Sequence, residues 1–335
     1  MKQNIIALLQ KNQIIGRGGA CFPTALKWQS VKKAKGKRKI VVVNASEGEL
    51  GLFKDIYILE NYLDQVFIGL QTALDYLNST EVFFNLNKKY YSKISKSLMR
   101  LVEQYQASGY QITIYQEEPS YIGGEETTLL NSIEGKRRQP RIRPPYPAEN
   151  GLFGCPTLVQ NVETFYDIAQ VAQGKYENKR FYCLSGKIKK RGVYHLANDL
   201  SISEILKITN NYPDFSFIAQ IGGSASGLVL RDDQLAKQKM IGAGSIEIYP
   251  LTIKPHELLY KWFDFYQQES CGHCTPCRFG SYQLWQQIRK KKDIDWEATL
   301  ALVNLMQKTS FCGLGSSLAQ AVNSYYQNVI NYYAS

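Results

Sequence analysis

IVVVNASEGEL, residues 40–50, is the stretch on which the fold turns. Ile40 to Val43 form a short β-branched run, the pattern of a strand buried on both faces. The run breaks at Asn44 into a polar loop. Downstream, residues 55–77 carry Ile58, Leu59, Tyr62, Leu63, Val66, Phe67 and Leu70 at helical spacing. EVFFNLN (81–87) reads as a strand, 91–107 as a helix and QITIYQ (111–116) as a strand. Strands alternating with helices predict an α/β domain with a mostly parallel sheet. Upstream, NQIIGRGGACFPTALK (12–27) reads as a glycine-rich loop followed by a helix. The opening MKQNIIALLQKNQ is too polar for the apolar core of a signal peptide and reads as a short amphipathic helix.

Further along, residues 134–156 are rich in Pro and Arg and read as an ordered loop over the sheet. RFYCLSGKIKKRGVYHL (180–196), SISEILKIT and FSFIAQIGGSASGLVL then suggest a small β-rich unit with one helix, and from Pro255 onward the pattern is helical. With 335 residues the chain exceeds one small core. No run of 18 apolar residues occurs, so no transmembrane helix is expected. The net charge is +11, with basic runs at 32–39, 136–143 (KRRQPRIR), 187–191 (KIKKR) and 289–292 (RKKK). No zinc-finger or RNA-recognition signature accompanies them, so they read as solvated surface or a face for an acidic partner rather than a nucleic-acid site.

The seven cysteines are an odd count, not spread as a disulfide framework. A reducing cytoplasm is expected, where clustered cysteines bind metal or do redox chemistry. ESCGHCTPCR places Cys271, Cys274 and Cys277 at C-x2-C-x2-C, and Cys312 follows the last of them after 34 intervening residues. One tight turn can aim three thiolates at a point, with a fourth arriving from a neighbouring helix. That is a common [4Fe–4S] arrangement, with a four-cysteine zinc site as its competitor. His273, inside the turn, reads as exposed. Cys155 and Cys183 read as small core residues.

Gly16-Arg17-Gly18-Gly19-Ala20 can cradle an anion with backbone N–H groups. The dinucleotide fingerprint G-x-G-x-x-G fails at its third glycine, where Cys21 stands. Lys27, one to two turns into the next helix, can reach a phosphate. SEGELG (46–51) and GGEET (123–127) set carboxylates beside glycines. These suit an acid/base pair, a metal site or acceptors for ribose hydroxyls, and spacing does not choose among them.

Taken together, five stretches resemble the NADH-binding flavoprotein subunit of respiratory complex I and its relatives in NAD-linked hydrogenases and formate dehydrogenases. They are GRGGACFPTALKW (16–28), NASEGELGLFKDIYILE (44–60), YIGGEETTLLNSIEGKRRQPRIRPPYPAENGLFGCPTLVQNVET (121–164), ESCGHCTPCR (269–278) and SFCGLG (310–315). SGKIKKRGVY (185–194) looks like the family's small SLBB-type domain. The resemblance implies FMN, NAD(H) and a [4Fe–4S] cluster on the four cysteines. FMN would rest on Gly16, Arg17, Gly18, Gly19 and Lys27, with Asn44, Glu47, Tyr121, Gly124, Glu125, Asn161 and Thr164 completing its site. NADH would stack on the flavin, its adenine on Phe22 and Tyr146. Glu49 and Glu126 would hold ribose or nicotinamide groups, and Arg143 would lie near the dinucleotide. The flavin carries the hydride chemistry, so no protein acid or base is implied. Glu126 beside the ribose would repel a 2′-phosphate, favouring NADH over NADPH.

The chain departs from the family pattern at Ser46, where Asp is usual at a flavin contact, at Cys21, where a loop glycine is usual, and at Ser30, Leu50 and Gln160. Losing one stacking face at Ser30 would weaken nucleotide binding by ~1 kcal/mol. The chain also reads as trimmed relative to longer relatives. The expected organisation is a Rossmann-like α/β domain over 1–175, a ubiquitin-like SLBB domain over 176–254 and a helical [4Fe–4S] domain over 255–335. The expected role is NADH oxidation with electrons leaving to a partner. Implied partners are a thioredoxin-like [2Fe–2S] subunit, further Fe–S subunits of a larger complex or an acidic ferredoxin. The expected location is cytoplasmic, peripheral to a membrane through partners. The alternative is a diverged flavin/Fe–S relay that does not use NADH.

Overall fold

The computed structural model describes residues 4–290 and 293–334. Met1–Gln3 of the opening helix and Lys291 and Lys292 of the last basic run lie outside them. The chain divides into two compact units, one of residues 1–48 and 53–181, the other of 49–52 and 182–335.

In the first unit, α1 (Ile5–Lys11) and α2 (Thr24–Lys33) flank the glycine-rich loop. Then come β1 (Ile40–Ala45), α3 (Lys54–Leu77), β2 (Glu81–Asn87), α4 (Lys88–Ala107), β3 (Gln111–Glu117), α5 (Glu126–Ile133), α6 (Pro147–Asn150), β4 (Thr157–Asn161) and α7 (Val162–Ala172). The sheet is parallel throughout, in the order β3-β2-β1-β4. Ile40, Val41, Val42 and Val43 are all fully buried, as a strand covered on both faces must be. Right-handed crossovers place α3 and α4 on one face. After β3 the winding reverses, and Leu129 and Leu130 of α5 pack against Ile40, Val42 and Val159 on the other face. The reversal makes the β1/β4 junction the topological switch point, where open α/β sheets bind ligands beyond their strand ends. α3 lies against α7 so closely that a Cβ at Gly69 would stand 1.9 Å from the Phe165 carbonyl oxygen.

In the second unit, β5 (Lys179–Gly186, entering from the first unit), β6 (Gly192–Ala197), β7 (Phe217–Ile221), β8 (Leu228–Arg231) and β9 (Ser245–Pro250) form a sheet in the order β6-β5-β9-β7-β8. β5 and β9 are parallel, while β7 runs antiparallel to both β8 and β9. α8 (Ile202–Ile208) starts with a Ser201/Glu204 capping box and buries Ile202, Ile205 and Leu206 on the sheet. Then follow α9 (Pro255–Glu269), α10 (Thr275–Lys290), α11 (Trp296–Thr309), α12 (Gly313–Tyr325) and α13 (Asn331–Ala334). Buried polar links join sheet and helices: Trp262 Nε1 donates to Gln220 Oε1 at 3.2 Å and the Val229 amide to Ser324 Oγ at 2.9 Å.

Candidate functional site

The switch point gathers most of the residues singled out from the sequence. Asn44 and Asn161 are register partners at the carboxyl ends of β1 and β4. Asn161 caps α7, accepting from the Glu163 amide at 3.0 Å, and its own amide reaches Asp55 at 2.7 Å. Asn44 accepts from the Ser46 amide at 3.1 Å and donates to the Gly124 carbonyl at 3.0 Å. The glycine loop lies against this floor, since a Cβ at Gly18 would sit 3.4 Å from Asn161 Cβ. Gly19 has φ +108°, and a Cβ there would meet nothing within 4 Å, so the loop is open on that side. Gly16 is held by the hydrogen bond that its N–H donates to the Phe22 carbonyl at 2.9 Å.

Arg17 belongs to the loop, but its side chain turns away. It is 3% exposed and its Nε is 2.8 Å from Asp167 Oδ2, while its amide donates to Thr164 Oγ1 at 2.9 Å. Lys54 continues this buried network, 2.8 Å from Asp55 and 3.0 Å from Glu163. Burial pushes the Asp167 carboxyl up to about 7 against the pull of Arg17. Burial also opposes ionisation of Glu163, yet Lys54, Arg180 and Arg17 together bring its carboxyl below the ordinary value. The guanidinium thus moors the loop to α7, and the loop's backbone is what it offers to a ligand.

Lys27, in the first turn of α2, pairs with Glu126 at 2.7 Å and donates to the Val159 carbonyl at 2.8 Å. Glu125 caps α5 through the Thr127 and Thr128 amides and pairs with Arg143, which also stands 3.9 Å from Glu126. Tyr121 immediately precedes the helical turn Ile122–Gly124. Phe22 and Tyr146 are half-exposed aromatics, at 51% and 55%. Glu47 holds the start of α3. At φ +25° it accepts from the Asp55 amide at 2.8 Å and from Tyr90 Oη at 2.9 Å, and so caps α3. Burial, reinforced by Asp55, pushes it up to about 7. Glu49 lies in the second unit, where Ser226 Oγ donates to it at 2.5 Å beside Gly223, and burial pushes it up to about 7 as well. Cys21 is exposed with φ +52°, a left-handed backbone that costs about 1 kcal/mol for a residue with a Cβ.

Lys54, Asp55, Glu117 and Arg138 were not identified from the sequence. Lys54, Asp55 and Arg138 stand inside the resembling stretches without a role of their own there, Glu117 stands outside them, and most of their partners are distant in the chain. Arg138, Arg141 and Arg143 of the 136–143 run are tied into ion pairs with Glu117, Glu134 and Glu125, which removes that run as a free basic patch.

In the second unit, Cys277 lies in the first turn of α10 and Cys312 is the residue capping α12, so two helix N-termini direct partial positive charge at thiolates. Gly315 permits this approach, because a Cβ there would stand 2.9 Å from Cys277 Cβ and 2.3 Å from Ser310 Oγ. Burial raises the Cys277 thiol to about 11, with Cys274, Cys312 and Cys271 adding repulsion. Ser270 Oγ is 3.4 Å from its sulfur. His273 is exposed, edge-on to Phe311 at 5.3 Å. Among the described residues, no three Cys, His or carboxylate groups are drawn onto one ion-sized point. Four thiols, from two helix starts and the turn before α10, suit a cluster, which takes four cysteines. Cys183 is buried, as expected of a core residue, and Cys155 packs partly buried against the β1 side of the first core.

A parallel sheet with an open glycine loop at its switch point, in a chain with clustered cysteines at helix starts, defines an α/β protein with an anion-accepting loop and a thiol-rich second site. Residues 9–170 match the Nuo51 FMN-binding domain, and residues 257–334 match the NADH-ubiquinone oxidoreductase-F iron–sulfur binding region. The second match settles the choice left open between zinc and a 4Fe–4S cluster. The chain belongs to the family of NADH-quinone oxidoreductase F-subunits: it is 30% identical to F-subunit 2 of Rhizobium meliloti over 96% of this chain and 85% of that protein. It is also 29% identical to the alpha subunit of the NAD-reducing hydrogenase HoxS of Cupriavidus necator, over 94% of this chain and 57% of that one. The air-oxidised NAD+-reducing [NiFe]-hydrogenase superposes with a TM-score of 0.89 at 28% identity, covering 97% of this chain and 61% of its own.

Proposed function

We propose that the chain is an electron-input subunit: it takes hydride from NADH onto FMN and passes single electrons through a 4Fe–4S cluster to a partner Fe–S protein. The observation that carries this reading is the convergence of Gly16–Gly19, Lys27, Asn44, Gly124 and Asn161 on the switch point. When bound, flavin would supply a hydride acceptor able to release two electrons singly, and a cluster would supply a one-electron acceptor. The protein's part is binding and orientation. Backbone N–H groups at 16–19 would face the anionic end of the flavin, with Lys27 as the nearby cation, while Asn44, Tyr121, Gly124, Glu125, Asn161 and Thr164 would line it. Glu47 would act through the start of α3. Phe22 and Tyr146 would offer faces to the adenine. Glu126 and Arg143 would meet the rest of the dinucleotide. Cys271, Cys274, Cys277 and Cys312 would each bind one iron.

The three-part division at 176 and 255 is a functional one in this reading. The sheet order β6-β5-β9-β7-β8, with its single helix α8, supports a ubiquitin-like SLBB part. Among the described residues no helix is long and apolar enough to cross a membrane. Attachment to a membrane would run through partner subunits, of which a thioredoxin-like [2Fe–2S] protein is the first proposed. Rapid mixing of the flavin-loaded chain with NADH and NADPH tests the reading. Flavin bleaching by NADH is expected; bleaching by neither nucleotide would overturn it. A second reading, a flavin relay fed by another donor such as a ferredoxin, is favoured by two observations. Cys21 stands at φ +52° in the loop, and Ser30 Oγ is turned back to the Leu26 carbonyl at 2.9 Å.

A further inference from the structure

Beneath the loop that follows β1 lies a buried polar group around Ser46, of which Glu117 and Arg138 have no part in the flavin reading. Ser46 is 2% exposed, and its Oγ donates to Glu117 Oε2 at 2.8 Å. Asn85 Nδ2 donates to both, at 2.8 Å and 3.2 Å. Glu117, the last residue of β3 and 3% exposed, pairs through its other oxygen with Arg138 at 2.9 Å. Arg138 also donates to the Glu118 carbonyl and to Ser120 Oγ. Gly123 makes the room: a Cβ there would fall 2.2 Å from Glu117 Oε1 and 2.8 Å from Arg138. Ser46 is two residues past Asn44 and lies against Gly124, whose added Cβ would meet it at 3.6 Å. Both neighbours are proposed flavin contacts.

The pair is electrically lopsided. The Glu117 side chain is 3% exposed and that of Arg138 32% exposed. Water screens the guanidinium more than the carboxylate, so the carboxylate's field is the one that persists on the protein side. We propose that Glu117, held by Ser46 and balanced by Arg138, is a positioning residue of the flavin site that places negative charge under the loop and lowers the flavin's reduction potential. This rests on the flavin reading above.

Spectroscopic redox titration of the full, flavin-loaded chain tests it, comparing wild type with Glu117→Gln, Arg138→Gln and the double variant. E117Q leaves an unbalanced cation and must raise the flavin potential. R138Q leaves an unbalanced anion and must lower it. The double variant must fall between the two. Equal potentials, or single variants shifting in the same direction at wild-type flavin content, would overturn the assignment. If E117Q does not fold, R138Q decides alone, since it keeps the carboxylate and its serine, and anything but a downward shift overturns the assignment. A wild-type chain that binds no flavin overturns both this and the function. Flavin-loaded chains of equal potential overturn this alone.

Discussion

Replacing Arg17 by Met tests whether the glycine loop is moored by buried charge. The Arg17–Asp167 pair is 2.8 Å long with side chains 3% and 2% exposed, and Glu163 lies in the same network. Removing one member of such a pair costs roughly 3–5 kcal/mol, because the other charge is left buried and unpaired. Asp167 can relieve this by taking a proton. In the wild type burial already holds its carboxyl up at about 7, and losing Arg17 pushes it higher. Above the unfolded value, near 3.9, the folded state then keeps a proton that the unfolded state releases, so stability falls as pH rises. In the wild type that fall ends near pH 7, whereas in R17M it continues. The difference between the two therefore widens above neutrality, by at most about 1.4 kcal/mol per pH unit. The expected loss is about 1–2 kcal/mol at pH 7 and about 4 kcal/mol at pH 9. Urea unfolding of the full chain at both pH values, followed by circular dichroism, measures it. Arg38→Met, which breaks an exposed pair with Glu81, is the control and should lose under about 1 kcal/mol. An R17M loss that matches the control, or that does not grow with pH, would refute the mooring.

Three further outcomes are expected. Gly69→Ala should destabilise the first unit: helix propensity favours Ala by about 1 kcal/mol, but the new Cβ would stand 1.9 Å from a backbone oxygen of α7, and overpacking of about 1–3 kcal/mol wins. A raised urea midpoint would show that the α3–α7 contact yields freely. Lys27→Met removes the cation nearest to Glu126 and should weaken flavin retention roughly tenfold or more, as expected for a charged hydrogen bond; unchanged flavin content after gel filtration contradicts its role. Cys274→Ala should abolish the cluster's EPR signal while flavin stays bound, and a persisting signal would mean that the ligand set is wrong.

How far the sequence discloses these features depends on the range over which each is encoded. β2 occupies residues 81–87 as read, and α3 begins one residue early, at Lys54. Their signals are local runs and periodicities. α4 starts at Lys88 rather than 91 because Asn87 caps it, accepting from the Lys89 amide at 3.0 Å. β1 continues through Asn44 to Ala45, since Asn44 still pairs with Asn85 and Asn161 across the sheet. The 134–156 loop hides a helical turn opened by Pro147. In the site, the glycine loop and the C-x2-C-x2-C turn are legible because a few adjacent residues carry them. The direction of the Arg17 side chain is not, for its partner lies 150 residues away. Ser46 and Glu117 are 71 residues apart, joined only once the parallel sheet sets β3 two strands from β1.

The polar residues of the first unit follow a division of labour that explains why charge is absent from some of its most constrained positions. Asn44, Asn85, Asn87 and Asn161 stand at or near the carboxyl ends of β1, β2 and β4. An amide side chain both donates and accepts, so each can fix a loop without placing charge in the crevice. Asn44 joins two loops, Asn161 caps α7, and Asn87 caps α4 while reaching the Ser46 carbonyl at 3.5 Å. The full charges are set further back, in pairs: Arg17 with Asp167, Lys54 with Asp55 and Glu163, Arg138 with Glu117. Paired charges tolerate burial where single ones do not. At the loop itself, Lys27 answers to Glu126 at 26% and 23% side-chain exposure, so this pair can be reopened by an anionic ligand at far lower desolvation cost than the pairs behind it. Buried pairs thus hold the frame of the site, and the Lys27–Glu126 pair at the α2–α5 edge is left electrically adjustable.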